Sequence, residues 1–213
     1  MRKMKAILIG GAKIEPALLR RIKEEELSVY VPYGLSEAAS SVTSGKLLVD
    51  ENVLATGRYS NGTTLGHLKV EIVDTETFLP LPANEVGLVK MTGKALFQGY
   101  LNEQGQVEKI TDFMPGDLAY YDENKRLFLQ GRKDRVFKSG GFRVSPEELE
   151  LIIGNYPGID SVVVVPTKHE KWGDIPVALI KSDEININTF KIQDYLKNHI
   201  ANYKVPKLSL IHI

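Results

Sequence analysis

A charged run of twenty residues constrains this chain more than any other stretch. It extends from Gly131 to Glu150 and has the sequence GRKDRVFKSGGFRVSPEELE. The adjacent glycines Gly140 and Gly141 can adopt positive φ and let a ligand approach the backbone, and the surrounding arginine and lysine side chains are donors for phosphate or carboxylate. The run therefore predicts a basic turn that leads directly into a helix.

The start of that helix has three local signals. Ser145 is predicted to be the N-cap, Pro146 the first helical residue and Glu148 the capping-box partner. A solvated basic loop that binds nothing would have a similar composition, so the run alone leaves both interpretations open. The stretches around it favour the functional one.

Short strands separated by turn residues dominate the first 130 residues. The predicted elements are a helix at Glu15–Glu25 and strands at Ala6–Ile9, Ser28–Tyr33, Lys46–Val49, Leu68–Val73, Gly87–Met91, Ala119–Asp122 and Arg126–Gln130. After an initial α/β portion, this order favours a strand-rich, β-barrel-like layer.

The remaining residues predict a smaller α+β module. Its predicted elements are a helix from Pro146 to about Asn155, strands at Ser161–Pro166 and Ile175–Ile180, and a helix from about Thr189 to His199. The run from Lys171 to Ala178, which contains the only tryptophan, Trp172, is predicted to anchor the core of this module at the start of a strand. We place the boundary at Gly131 to Asp134, so that residues 1–131 form one domain and 132–213 the other.

Composition excludes several classes of function. Acidic and basic residues are equal in number, 27 of each, which is not the basic excess of a nucleic-acid-binding surface. There is no cysteine, which excludes disulfides and thiol catalysis, and the four histidines lack metal-ligand spacing. The first apolar run has about five residues, fewer than a signal peptide needs, and no stretch is long enough to span a membrane.

Motifs upstream of the charged run complete a specific pattern. MPGDL begins at Met114, and GRKD, KSGG and SPEELE follow it. Their order and spacing resemble those of the acyl-adenylate-forming ligases, the family of acyl-CoA synthetases, peptide-synthetase adenylation domains and luciferases. IGGA at Ile9 resembles the family's Gly-Gly-Ala turn, and YGLSE at Tyr33 resembles its Tyr-Gly-x-[Thr/Ser]-Glu motif. The resemblance extends over nearly the whole chain.

The resemblance implies a nucleotide site in the first domain, the carboxy-proximal part of a large adenylating domain. Forming an acyl-adenylate requires acceptors for hydroxyls, an acid for Mg2+ and donors for phosphate. Asp117 is implied to accept the ribose hydroxyls, Tyr33 to lie against the adenine, and Glu37 to bind Mg2+. The other implied nucleotide-site residues contact the phosphate or border the adenine and acyl pocket: Ser36, Gly10, Gly11, Ala12 and Gly34.

For the second domain, the resemblance implies a small C-terminal lid. Arg132 is implied to contact the ribose or phosphate, and Asp134 to be the pivot about which the lid rotates between adenylation and thioester formation. Lys138, Gly140 and Gly141 are implied to face the adenylate and the pantetheine arm in the second step. The implied ligands are ATP, Mg2+, coenzyme A and a small carboxylic acid; a cytoplasmic location and a homo-oligomer are compatible with this interpretation.

Two family motifs have no counterpart in this sequence. The first is the Ser/Thr/Gly-rich phosphate loop. The second is the Gly-Lys that supplies the adenylation lysine, which is expected after the run NYKVPK from Asn202, a run that resembles the family's lead-in to its final segment. We therefore expect a carboxy-proximal part of a ligase, inactive by itself. The runs around Ile7 and Trp172 are similar to o-succinylbenzoate–CoA ligases of menaquinone biosynthesis; a ligase for a fatty or aryl acid and a non-catalytic nucleotide-binding or assembly module are the alternatives.

Overall fold

The structure, a computed structural model, describes residues 4–182 and 188–211. Its contacts divide the chain into two compact units. The first unit comprises the residues up to Asp50 together with Arg58–Gln130, and the second comprises Glu51–Gly57 together with the residues from Gly131 onward. Residues 51–57 therefore belong to the second unit although the first unit surrounds them in sequence.

The first sheet of the first unit has four strands. They are β1 at Ile7–Leu8, β2 at Val29–Leu35, β3 at Ser40–Lys46 and β4 at Thr63–Thr64, in that order across the sheet. β1 and β2 are parallel, so helix α1 at Pro16–Glu24 connects them as a crossover, and it buries Leu19 and Ile22. The predicted strand at Lys46–Val49 is wrong, because the paired strand ends at Lys46 and Leu48 is exposed.

The second sheet of this unit is open. Its strands are β5 at Lys69–Val73, β6 at Gly87–Thr92, β7 at Asp112–Phe113, β8 at Asp117–Tyr121 and β9 at Leu127–Arg132, the last two residues of which are counted with the second unit. The order is β5-β6-β8-β9, with β7 paired to β6. Among the described residues no pairing joins β9 to β5, so the predicted barrel-like layer is wrong.

Both sheets contribute to one hydrophobic core. Val42 of β3, Val89 and Met91 of β6 and Leu127 of β9 are fully buried in the same cluster. Tyr33 of β2 belongs to this cluster as well. The core therefore fixes the positions of the strands on which several predicted site residues lie.

The second unit is a five-stranded sheet with helices. Its elements are α2 at Glu51–Thr56, β10 at Phe137–Ser139, β11 at Phe142–Val144, α3 at Pro146–Gly154, β12 at Ser161–His169, β13 at Gly173–Lys181, α4 at Thr189–Lys197 and β14 at Lys207–Ile211. The order is β11-β10-β13-β12, and β14 pairs in parallel with β13. Leu149 and Ile153 of α3 pack with Ile192 and Leu196 of α4 in its core.

The predicted capping box of α3 is wrong. The helix begins at Pro146 with Ser145 at the N-cap, but the Ser145 hydroxyl donates to Glu147 Oε2 at 3.1 Å and accepts no helix N–H. The Glu148 carboxylate instead accepts a hydrogen bond from Lys204 Nζ at 2.8 Å. An ion pair with a residue 56 positions away has therefore replaced the local cap.

Candidate functional site

The carboxyl ends of β1 and β2 lie at the same edge of the first sheet because the two strands are parallel. Gly10, Gly11 and Ala12 follow β1 at this edge and are exposed. A Cβ on Gly10 would lie 3.1 Å from Cγ of Pro32, so this turn lies against β2. After β2, a 3-10 turn at Ser36–Ala38 carries Ser36 and Glu37. The structure thus brings these predicted nucleotide-site residues to one sheet edge.

Tyr33 and Asp117 connect the two sheets of the first unit. The Tyr33 hydroxyl donates to Asp117 Oδ2 at 2.6 Å, across a sequence separation of 84 residues. Tyr33 lies on β2 and is only 8% exposed, whereas Asp117 is the first residue of β8 and is half-buried. A buried phenol therefore holds the carboxylate in a defined orientation at the end of its strand.

Glu37 is attached to the β6–β7 connection at two points. Its backbone carbonyl accepts from Phe97 N at 2.7 Å, and its Oε1 accepts from the Tyr100 hydroxyl at 2.6 Å. The Tyr100 hydrogen bond holds the pKa of Glu37 below its ordinary value. Tyr100 was not among the predicted site residues. The signal that could have identified it was its position in the run FQGY, three residues after Phe97.

The backbone between Tyr33 and Glu37 is tightly constrained. The β2–β3 register shifts between Tyr33 and Gly34. A Cβ on Gly34 would lie 2.0 Å from the carbonyl oxygen of Ser40, so no larger residue fits this bulge without movement. Ala39 and Ser40 have φ values of 54° and 122°, which are strained for residues with a Cβ.

We expect Gly34→Ala to destabilise the chain by about 1–3 kcal/mol, as overpacking of a filled position does. The added methyl group overlaps a backbone carbonyl, so the turn that carries Glu37 must shift. Urea unfolding followed by circular dichroism measures the change. Gly154→Ala in α3 is the control, because its Cβ would meet only Val162 at 3.8 Å. Equal stability of the two variants would contradict the close approach at Gly34.

Arg132 and Asp134 form a bidentate ion pair in the second unit. Arg132 Nε and Nη2 donate to the two carboxylate oxygens of Asp134, each at 3.0 Å. The guanidinium holds the pKa of Asp134 below its ordinary value, chiefly through this hydrogen bonding. On the other side of the same 3-10 turn, Arg135 pairs with Glu147 and Glu150 of α3 at 3.0 and 2.8 Å. Ion pairs therefore stabilise both sides of the turn.

We expect Arg132→Met to raise the pKa of the Asp134 carboxyl towards its ordinary value. A depressed folded-state pKa stabilises the fold above the unfolded pKa, and that contribution disappears as the pH falls through the folded value. The variant should therefore lose stability relative to the parent near neutral pH but not in acid. The carboxyl 13C shift of Asp134, measured against pH, tests the expected change in its pKa. Arg126→Met, which removes the partner of Asp122, should leave Asp134 unchanged.

Lys138, Gly140 and Gly141 belong to the hairpin formed by β10 and β11. Gly140 and Gly141 have φ values of 55° and 89°, as the two central residues of a type I′ turn require. Lys138 lies directly opposite Arg143, and both residues are exposed. The hairpin therefore carries two cationic side chains side by side on one face.

An aromatic cleft of about 330 Å3 lies beside this hairpin within the second unit. Phe142 and Tyr203 stack with centroids 4.2 Å apart, and both line the cleft with Trp172. The run from Lys171 to Ala178 reaches the core through Ala178, which is fully buried on β13, whereas Trp172 is 50% exposed. Its backbone carbonyl accepts from Gly140 N at 3.1 Å and so supports the hairpin turn.

Within residues 4–182 and 188–211, no three His, Cys, Asp or Glu side chains converge as a metal cage. The Glu37 carboxylate could contribute an oxygen to Mg2+, which typically takes one or two carboxylates and completes its shell with phosphates and water.

No helix of the described part is long and apolar enough to cross a membrane.

Residues 1–101 match the protein family described as AMP-binding enzyme. The chain is 34% identical over 206 residues to 2-succinylbenzoate–CoA ligase from Enterococcus faecalis, with coverage of 95% of this chain and 41% of the relative. It is 31% identical over 199 residues to 4-coumarate–CoA ligase from Pinus taeda, with coverage of 91% and 36%. The chain spans about two fifths of the length of these curated relatives.

Solved structures agree on the fold. The o-succinylbenzoate CoA synthetase from Bacillus subtilis, in complex with its acyl-adenylate intermediate, superposes with a TM-score of 0.80 at 24% identity and covers 98% of this chain and 42% of that one. ATP-bound MatB from Rhodopseudomonas palustris superposes with a TM-score of 0.81 at 24% identity, with the same coverage. Both matches extend over nearly all of this chain.

Proposed function

Because this chain belongs to the AMP-binding enzymes, the acyl-adenylate-forming superfamily, we propose that it forms part of an ATP-dependent acid–CoA ligase. In the first step, the carboxylate oxygen of the acid attacks the α-phosphorus of ATP and pyrophosphate leaves. In the second, the thiol sulfur of coenzyme A attacks the acyl carbon, AMP leaves and a thioester forms. The thiol proton passes to solvent or to a base.

The Tyr33–Asp117 pair carries this proposal. We assign Asp117 to the two ribose hydroxyls of the nucleotide, because an ionised carboxylate can accept hydrogen bonds from both hydroxyls and the Tyr33 hydroxyl holds this carboxylate in place. Tyr33 itself is held by the core, so the carboxylate needs little reorganisation when a nucleotide binds. We assign the exposed turn of Gly10, Gly11 and Ala12 to the adenine side of the same site.

Glu37 and Ser36 are assigned to the phosphate side. Glu37 would hold Mg2+ through a carboxylate oxygen, and its lowered pKa keeps the carboxylate ionised. The ion would neutralise charge on the triphosphate. The Ser36 hydroxyl would donate to a phosphate oxygen, and Gly34 allows the backbone bulge that precedes both residues.

We assign the second unit to the thioester-forming step. Lys138 and the Gly140-Gly141 turn are assigned to the adenylate and the pantetheine arm, because the hairpin combines exposed cations with a backbone free of side chains. The aromatic cleft beside it offers stacking faces for the adenine of coenzyme A. Arg132 is assigned to the nucleotide, in exchange for its ion pair with Asp134.

We propose 2-succinylbenzoate as the acid, supported by the 34% identical relative from Enterococcus faecalis. The alternative is an aryl acid of the 4-coumarate kind, which the 31% identical relative from Pinus taeda favours. Both acids carry an aromatic ring, so the two candidates differ mainly in the second carboxylate of succinylbenzoate, whose recognition requires a cationic or N–H donor.

Calorimetric titration with non-hydrolysable acyl-sulfamoyl adenosines tests the proposal. We expect the purified chain to bind AMP, and to bind the o-succinylbenzoyl analogue at least about tenfold more tightly, because the acyl group adds about 1.4 kcal/mol or more of contact energy. The 4-coumaroyl analogue should bind more weakly than the succinylbenzoyl one. Tighter binding of the coumaroyl analogue would reassign the acid. No binding of AMP or of either analogue would contradict the nucleotide site.

A further inference from the structure

Tyr100 has a contact that none of the site assignments above explains. Its hydroxyl donates to Glu37 Oε1 at 2.6 Å, across a sequence separation of 63 residues. Tyr100 is 56% exposed, so this hydroxyl could be solvated by water without cost. Its engagement with a carboxylate at the proposed phosphate side therefore calls for a functional explanation.

The ring of Tyr100 is held in place independently of that hydrogen bond. It packs edge-on against Phe97 with centroids 4.7 Å apart and lies 6.5 Å from Phe113, and these two rings pack against each other at 5.2 Å. The Tyr100 carbonyl accepts from Glu108 N at 3.0 Å within the same connection. The aromatic cluster of Phe97, Tyr100 and Phe113 thus presents the hydroxyl from a fixed direction.

One hydrogen bond to a carboxylate restricts its rotation without consuming its capacity to bind a metal. The Tyr100 bond uses Oε1 and leaves Oε2 outside this contact. Carboxylates that ligate metals are themselves usually hydrogen-bonded, and the loss of such a partner typically weakens metal binding by about 10–100-fold. Phe97 N fixes the Glu37 backbone from the same connection, so main chain and side chain are positioned together.

We propose that Tyr100 is a positioning residue whose hydroxyl orients the Glu37 carboxylate towards the Mg2+ that accompanies ATP. The proposal rests on the assignment of Glu37 as a metal ligand in the proposed function. Tyr100 contacts neither nucleotide nor metal in this arrangement; it acts through Glu37 alone.

Manganese binding to the full 213-residue chain tests the proposal without any catalytic readout. Mn2+ in the presence of α,β-methylene-ATP is titrated and free Mn2+ is followed by electron paramagnetic resonance. Tyr100→Phe retains the ring cluster and removes only the hydroxyl. We expect it to weaken Mn2+ binding by about 10–100-fold, while affinity for the nucleotide in EDTA changes less than about twofold. Tyr121→Phe, which removes the hydroxyl paired with Thr64 Oγ1, is the matched control and should bind Mn2+ as the parent does.

The Glu37→Gln variant separates the possible failures. If Glu37→Gln loses Mn2+ affinity while Tyr100→Phe keeps it, the Tyr100 hydroxyl has only a structural role, and the proposal is overturned while Glu37 remains a ligand. If Glu37→Gln binds Mn2+ like the parent, or the parent binds none, both the metal assignment and the Tyr100 proposal are wrong. An equal loss in Tyr121→Phe would attribute the effect to stability and also overturn the proposal.

Discussion

Asp117→Ala is expected to weaken AMP binding at least about tenfold, because a hydrogen bond to a charged group contributes about 1.5–3 kcal/mol. Two ribose hydroxyls are proposed to donate to this carboxylate, so the loss approaches two such bonds. Calorimetry with AMP measures the change. In an enzyme that includes this chain, ATP-dependent adenylation followed by pyrophosphate exchange should fall by a similar factor.

Comparison with 2′,3′-dideoxy-AMP makes this result specific to the ribose. The analogue lacks both hydroxyls, so Asp117→Ala should leave its affinity nearly unchanged. Tyr33→Phe is the second control: it removes the donor to Asp117 but keeps the carboxylate, and a smaller loss is expected. If Asp117→Ala weakened AMP and its dideoxy analogue equally, Asp117 would have only a structural role in its turn.

Asp134→Pro should separate the two half-reactions of the proposed ligase. Proline fixes φ near −65°, which suits the 3-10 turn at Lys133–Arg135, so the variant should fold with this turn in one conformation. Asp134 is proposed to be the pivot of the lid rotation. The ion pairs of Arg135 with Glu147 and Glu150 attach the other side of the turn to α3. Adenylate formation should stay within a few-fold of the parent value. Thioester formation should fall by about two orders of magnitude, because misplaced catalytic groups cost rates of that order.

The two steps are assayed separately, by pyrophosphate exchange and by acyl-CoA production from preformed adenylate. Asp134→Ala is the control, since it removes the ion pair with Arg132 but leaves the backbone free to rotate. Its thioester step should therefore be far less affected. A proline variant that slowed both steps equally would show that this turn is not a functional hinge.

Local chemistry made several elements predictable from sequence. Proline after serine predicted the start of α3 at Pro146, and paired glycines predicted the tight turn at Gly140 and Gly141. Apolar periodicity predicted α1 and the long strands β12 and β13. The predicted roles of the site residues came from motif order instead, and they remain predictions that the experiments above test.

Tertiary contacts decided what local chemistry could not. Apart from Val42 and Lys46, strand β3 consists of serine, threonine and glycine, and it is recognisable only from its pairing with β2. Trp172 lines a cleft together with Phe142 and Tyr203, which lie about 30 residues before and after it in the sequence. Helix α2 joins the second unit through Asn155, whose side-chain Nδ2 donates to Ala55 O at 2.9 Å.

The sequence by itself determined the family, the helix starts and the tight turns, because these depend on residues within a few positions of one another. Only the tertiary structure joined Tyr33 to Asp117 and Tyr100 to Glu37, over 84 and 63 residues. It also replaced the expected Glu148 cap by the ion pair with Lys204. Each of these contacts depends on how two separately formed elements pack together, and a single sequence contains no local signal for the partner in such a contact.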